Sequence, residues 1–210
     1  MILRRSSASP EDIADEESWS LILVNQSHPI PDDYEIPSLT ELANGNAIDS
    51  RVYPHLQAMF DDARAQGIYP SITSSYRTTE KQQELMDNKI AEYISAGYDQ
   101  DAARELAEEW VAIPGTSEHQ TGLVCDITDY YRELKDSSLE LTDTYQWLKA
   151  HCAEYGFVVR YPADKSGSAD SITGIIYEPW HFRYVGVEPA TYMMQNNLCL
   201  EEFLSLYGVE

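Results

Sequence analysis

Two short stretches of this chain carry side chains able to grip a metal ion. In "PGTSEHQTGLVCDI", His119 and Asp126 stand seven residues apart among small, turn-prone neighbours. In "YEPWHFRY", Glu178 precedes His181 by three positions. Two imidazole nitrogens and one carboxylate oxygen suit a hydrolytic zinc site, which takes three protein ligands and leaves one position for water. With one anionic ligand the net charge at the ion would be about +1, which keeps it a Lewis acid. Glu178 is the candidate base, since a carboxylate beside the attacking water can take its proton and hand it to a leaving amine.

Each of these residues also has an ordinary reading. A strand histidine packs or hydrogen-bonds, Asp126 anchors a loop, and Glu178 is a solvated acid. What sets His119 and His181 apart is their surroundings. His28 precedes a proline, and His55 and His151 fall in helical stretches without an acid at ligand spacing. Spacing alone leaves metal binding open.

The elements that must position these groups follow from the pattern. A turn-rich loop would carry His119, and the end of a buried strand, "LVCDI", would carry Asp126. "WHFRYVG" reads as a neighbouring strand bearing His181. On a regular strand Glu178 and His181 face opposite ways, so a bend or bulge near Pro179 is required to bring both into one cavity. Cys125 points away from Asp126 on the same logic and belongs to the core. Strands are also expected at "WSLILVN", "GIYPSITSS" and "FVVRY". "SHPIPDDYEIPSL", with three prolines, should be extended and surface-hugging.

Helices are expected over residues 51–66, where Val52, Leu56, Met59, Phe60 and Ala63 form a stripe, and over "TTEKQQELMDNKIAEYISAG". "DQDAARELAEEWVA" is a third, stopped by Pro114-Gly115. "LTDTYQWLKAHCAEYG", "EPATYMMQNN" and "LEEFLSLYG" complete the set, and "DKSGSADSITG" is a loop. Helices around short strands without regular alternation predict an α+β fold with a small antiparallel sheet flanked by helices.

Composition narrows the function. The length, 210 residues, suits one domain with a tail: an acidic disordered tail over 1–18 and a domain over 19–210. A net charge of −22 argues against nucleic acid and against contact with anionic membranes. Fifteen tyrosines suit a groove of mixed polarity. Three cysteines, Cys125, Cys152 and Cys199, make neither a disulfide framework nor a metal spacing, and Cys152 and Cys199 read as buried thiols. "LILV" is too short to span a bilayer, and no export signal is visible in "MILRRSSASPEDIADEES".

Beyond these readings, four ordered motifs resemble a known family. "SEHQTGLVCD" resembles the Ser-x-His-x-x-Gly-x-x-x-Asp pattern of the VanY-type zinc D-alanyl-D-alanine carboxypeptidases. "EPWHFRYVG" is similar to their Glu-x-x-His motif, "SSYRTTEKQQ" to their substrate segment, and "LILVNQSHPIPDDY" to their opening segment. The resemblance runs from about Trp19 to about Gly186. Departures are small: Val124 stands where alanine is frequent, and Cys125 is an unusual neighbour for Asp126.

The resemblance implies Zn2+ held by His119, Asp126 and His181, with Glu178 as catalytic base and Arg77 engaging the substrate near the scissile bond. It places Ser117, Gln82, Tyr76 and Trp180 at the substrate. It leaves Arg183 as a substrate contact or, the favoured reading, a supporting ion pair. The implied fold is that shared with Hedgehog signalling domains and D,D-dipeptidases. The implied reaction is release of D-alanine from peptidoglycan stem peptides, by a monomer acting outside the bacterial membrane, with its export segment or anchor lying beyond this chain. L,D-carboxypeptidase action, then D,D-dipeptidase action, then a non-catalytic zinc-containing binding module, are the competing readings. A structural zinc site would require a fourth protein ligand, for which no residue stands out.

Overall fold

A computed structural model describes residues 18–167 and 170–206. The expected tail over 1–18 lies outside the described residues except for Ser18, which opens a 3-10 turn to Ser20.

The centre is a four-stranded antiparallel sheet in the order β3-β4-β6-β5, with β3 Pro70–Ser74, β4 Val124–Asp129, β5 Phe157–Tyr161 and β6 Glu178–Tyr184. Side chains alternate across its faces, as the pleat requires. Cys125, Ile127, Phe157, Phe182 and Tyr184 are buried in the main core. That core is closed by α1 (Tyr53–Ala65), through Leu56, Met59 and Phe60, and by α4 (Asp143–His151), through Tyr145 and Leu148. Asp126 pairs with His181 and Val124 with Arg183 across β4 and β6, so the polar members share the opposite face. Cys125 therefore sits in the core, away from Asp126, as its position predicts.

The remaining helices close the molecule around this sheet. α5 (Val187–Asn196) and α6 (Leu200–Leu206) form a second apolar cluster, in which Met193, Leu200 and Phe203 meet Val158 and Val185. α2 (Thr79–Ser95) and α3 (Gln100–Glu108) pack on each other through Met86, Ile90, Ala103 and Ala107. The Thr78 side chain accepts from the Lys81 amide and fixes the start of α2, one residue after Arg77.

The required bulge exists. Val159 pairs with Phe182, but the next pair is Tyr161 with Glu178, so β6 travels four residues while β5 travels two. The extra residues surround Pro179, which cannot donate to a ladder. Within this irregular stretch Glu178 lies on the His181 side, with Oε2 3.5 Å from His181 Nδ1.

Four expectations change. "WSLILVN" is not a strand: after the 3-10 turn it runs irregularly, with an isolated bridge from Asn25 to His28. Its carbonyls at Ser20 and Ile22 accept from the Arg183 guanidinium instead of a neighbouring strand. Asp126 is the third residue of β4 and not its last, because pairing with β3 continues to Asp129. α3 ends at Glu108, six residues before Pro114. Finally, "LTELANGNAID" forms an unanticipated hairpin, β1 Leu39–Glu41 and β2 Ala47–Asp49, with Gly45 at φ +78° in its turn.

Gly156 closes the 3-10 turn Cys152–Tyr155 at φ +83° and feeds β5. A Cβ there would lie 2.6 Å from Tyr184 Cε2 and 3.0 Å from the Gly186 carbonyl carbon. Both neighbours are held in the core, so neither yields cheaply. Gly156→Ala should therefore destabilise the fold by about 2 kcal/mol or more, from the left-handed backbone and the overlap together. A lower urea midpoint at unchanged slope is the expected measurement.

Candidate metal centre

His119 reaches the centre from a 3-10 turn, Glu118–Thr121, which ends at Gly122 with φ 72°. A Cβ on Gly122 would meet the Asp49 backbone at 3.2 Å, so a side chain there would have to push that backbone aside as well as adopt a left-handed φ. Asp126 and His181 arrive as a cross-strand pair. All three side chains are buried, and one ligand atom from each lies within 4.8 Å of the others.

The donor atoms are pre-sorted by their second partners. His119 Nδ1 lies 2.6 Å from the Ser75 carbonyl, so it must carry the proton and Nε2 keeps its lone pair. His181 Nε2 lies 3.3 Å from Glu118 Oε2, which leaves Nδ1 facing inward. Asp126 Oδ1 is 3.2 Å from His119 Nε2 and 3.3 Å from His181 Nδ1, yet it is buried without a hydrogen bond. Three potential ligand atoms thus converge on one point. Bonds of 2.0–2.1 Å to a tetrahedral zinc would put ligand atoms about 3.3 Å apart, which matches the two spacings. The residues fit zinc. The other Asp126 oxygen is 2.9 Å from Lys135 Nζ and 3.5 Å from Arg77 Nη2, so its charge is balanced from outside the donor set.

Electrostatics divide the two imidazoles. Burial holds His119 down at about 4, so it is neutral and ready to ligate at pH 7. Burial alone would also lower His181, but hydrogen bonding to Asp126 and Glu118, with the charges of Asp126 and Glu178, lifts it to about 9. Glu178 has Oε2 3.5 Å from His181 Nδ1, and burial pushes its carboxyl up to about 7 against the pull of His181.

A cavity of about 450 Å³ opens onto this cluster. Of the residues expected at the substrate, Arg77, Gln82, Ser117 and Trp180 line it together with Glu178. Tyr76 is not on that wall; its amide donates to the Ala47 carbonyl in the β1–β2 hairpin. Arg77 is oriented by Ser74 Oγ, at 3.0 Å from Nε and 2.8 Å from Nη2, and by Gln82 Oε1 at 3.4 Å from Nη1. Gln82 is fixed in turn by the Ala112 carbonyl. Arg183 is wholly buried, which leaves the ion pair as its role.

Three residues at the centre were not anticipated: Glu118, Arg160 and Lys135. Glu118 Oε1 accepts from Arg160 Nε and Arg183 Nη1, each at 2.7 Å, while Oε2 faces His181. Burial would raise its pKa, but the two guanidiniums outweigh that and hold it ionised far below the usual carboxylate range. Only the glutamate's place beside His119 hinted at this. Lys135 lies in an exposed stretch with no motif to flag it.

Comparison with known proteins agrees with the site. The sequence profile of the family described as VanY, D-alanyl-D-alanine carboxypeptidase, matches residues 45–187.

This chain belongs to the VanY family.

Within that family, the chain is 49% identical over 200 residues to a D-alanyl-D-alanine carboxypeptidase of Enterococcus faecalis (strain ATCC 700802 / V583), covering 94% of this chain and 70% of that protein. A solved vancomycin resistance D,D-pentapeptidase VanY variant, in complex with Zn(II), is 50% identical with a TM-score of 0.78, covering 89% of this chain and 99% of that one. VanYB in complex with D-alanine-D-alanine is 51% identical at the same TM-score, covering 89% of this chain and 98% of that one. Like its VanY relatives, the chain is a metallopeptidase of the carboxypeptidase type with a zinc cofactor.

The metal-free protein carries a proton on His181 up to about pH 9, and that proton must leave before Nδ1 can ligate. Zinc affinity, measured by competition with a chromophoric chelator, should rise about tenfold per pH unit between pH 6 and 8. It should level off as the medium passes the His181 value.

Proposed function

We propose that the chain hydrolyses the C-terminal D-alanine from peptidoglycan stem peptides as a zinc D,D-carboxypeptidase, with residues 19–210 as the catalytic domain. The observation that carries this reading is Glu178, with Oε2 3.5 Å from His181 Nδ1 and lining the cavity beside three convergent ligand atoms. A site built only to hold a metal would have no use for a half-buried, half-neutral carboxyl at its open side.

His119, Asp126 and His181 would hold the ion. When bound, zinc would polarise the scissile carbonyl and make water acidic enough to attack near neutral pH. Glu178 takes the proton of the attacking water and delivers it to the amine of the departing D-alanine. A carboxyl brought up to about 7 by burial suits both halves of that transfer. Arg77 keeps an N–H on Nη1 beyond its bonds to Ser74 and Gln82, and points it at the substrate oxygens. Ser117, Gln82 and Trp180 shape the wall against which the terminal residue lies. Tyr76 is left out of this set because it does not line the cavity.

The substrate class rests on family membership and on the relative solved with D-alanine-D-alanine. It implies action in the bacterial envelope or outside it. No helix among the described residues is long and apolar enough to cross a membrane. We take the working form as a monomer, since the donor set and cavity are complete within one chain.

Mass analysis of purified penta- and tetrapeptide stems incubated with the zinc-loaded protein tests the reading. Loss of one D-alanine from the pentapeptide, abolished by a chelator, is expected. Cleavage of the tetrapeptide alone would replace it with L,D specificity.

Two substitutions separate metal binding from chemistry. Glu178→Gln should keep one zinc per chain and lower kcat by roughly a hundredfold or more, the range for a lost general base. His181→Ala should lose stoichiometric zinc by elemental analysis. Full turnover in the first variant would remove Glu178 from the mechanism.

A further inference from the structure

Tyr161 is a phenol at the centre with no task in the scheme above. It ends β5 as the cross-strand partner of Glu178, and it lines the same cavity. Its ring is fixed on two sides: the His181 ring centroid lies 4.8 Å away, and the Arg160 guanidinium carbon sits 4.8 Å from its own centroid. Its hydroxyl makes no hydrogen bond among the described residues, yet it is not one of the buried polar atoms sealed off without a partner. An immobilised ring therefore presents an uncommitted O–H to the cavity. Phenols are protonated at neutral pH, with an ordinary pKa of about 10, so this group can donate.

Its place in the sheet says to what. The order β3-β4-β6-β5 puts Asp126 and His181 on the two middle strands. Arg77 follows β3 on one flank, and Tyr161 lies on β5 at the other. We propose that the Tyr161 hydroxyl donates a hydrogen bond to the oxyanion formed as the scissile carbonyl is attacked, from the side of the metal centre opposite Arg77. This rests on the carboxypeptidase reading and adds a catalytic residue to it.

The alternative acceptor is the terminal carboxylate of the substrate, which carries its charge before the reaction begins. That charge would lie beside Glu178 while Glu178 is still ionised, and the two would repel. The oxyanion instead appears in the step in which Glu178 gains the proton of the attacking water, so its neighbour is neutral when the new charge arrives. A donor beside Glu178 is better matched to the transition state than to the bound peptide.

Tyr161→Phe removes the hydroxyl and keeps the ring. Zinc content and melting temperature should stay as in the wild type. For a stem pentapeptide, kcat should fall about a hundredfold, as for loss of one oxyanion donor, with KM changed less than about twofold. Affinity for a phosphinate analogue of the tetrahedral state, read by calorimetry on the zinc-loaded proteins, should fall in parallel. A kcat within threefold of wild type overturns the inference. So does a raised KM at unchanged kcat, which would make Tyr161 a ground-state contact. Loss of zinc in the variant would show a supporting role and also overturn it. If the zinc-loaded wild type fails to cleave stem peptides, the carboxypeptidase reading itself falls; if the wild type cleaves and Tyr161→Phe is undiminished, only this inference does.

Discussion

The carboxylate of Glu118 is the point on which the rest of the site depends. It is buried, as are the two guanidiniums of Arg160 and Arg183 that it joins. Buried ions are costly unless every donor and acceptor is matched. Here they are matched closely. Arg160 turns its remaining face to Glu201 on α6, at 2.9 and 2.6 Å. Arg183 spends its own on the carbonyls of Ser20, Ile22 and Tyr184. With Oε1 saturated, Oε2 is left for His181, and the imidazole is held with Nδ1 inward. The orientation of one ligand is thus set by a charge network that reaches both ends of the described chain.

The second constraint is the slip in register between β5 and β6. A regular strand would place Glu178 on the face opposite His181, against the apolar core. The strand is irregular at Pro179, where Glu178 comes within 3.5 Å of His181 Nδ1, and the pairing on either side is kept. The slip also sets Tyr161 beside Glu178. The fold therefore uses an irregularity to place a base and a ligand in one cavity, a common position for bulges.

The sequence was most legible where pattern and chemistry coincide. Period-two alternation in "LVCDI" placed Cys125 in the core, away from Asp126, and the sheet pairs Asp126 with His181 on the opposite face. The need for a distortion at Pro179 followed from counting three residues between two side chains. The helices were readable from their stripes, although α3 stopped early, because Trp110 and Val111 turn the chain before the prolyl break. Other features were hidden because their cause is tertiary. "WSLILVN" has strand composition, but its carbonyls are claimed by a guanidinium 163 residues away. Glu118 looked like a spacer between Ser117 and His119, and nothing local announces that Arg160 and Arg183 converge on it. Tyr76 looked like a neighbour of Arg77 with the same duty. The turn after β3 gives its amide to the β1–β2 hairpin instead, and Arg77 alone faces the cavity.

The closing of Arg160 by Glu201 bears on how the site comes into being. β4 and β6 can pair before α6 has formed, which would bring His181 beside Asp126. At that stage Arg160 has half its anionic partners, and two positive groups crowd one acid. The last helix among the described residues supplies the missing negative charge through Glu201. The charge network behind His181 is therefore complete only once Glu201 has joined Arg160.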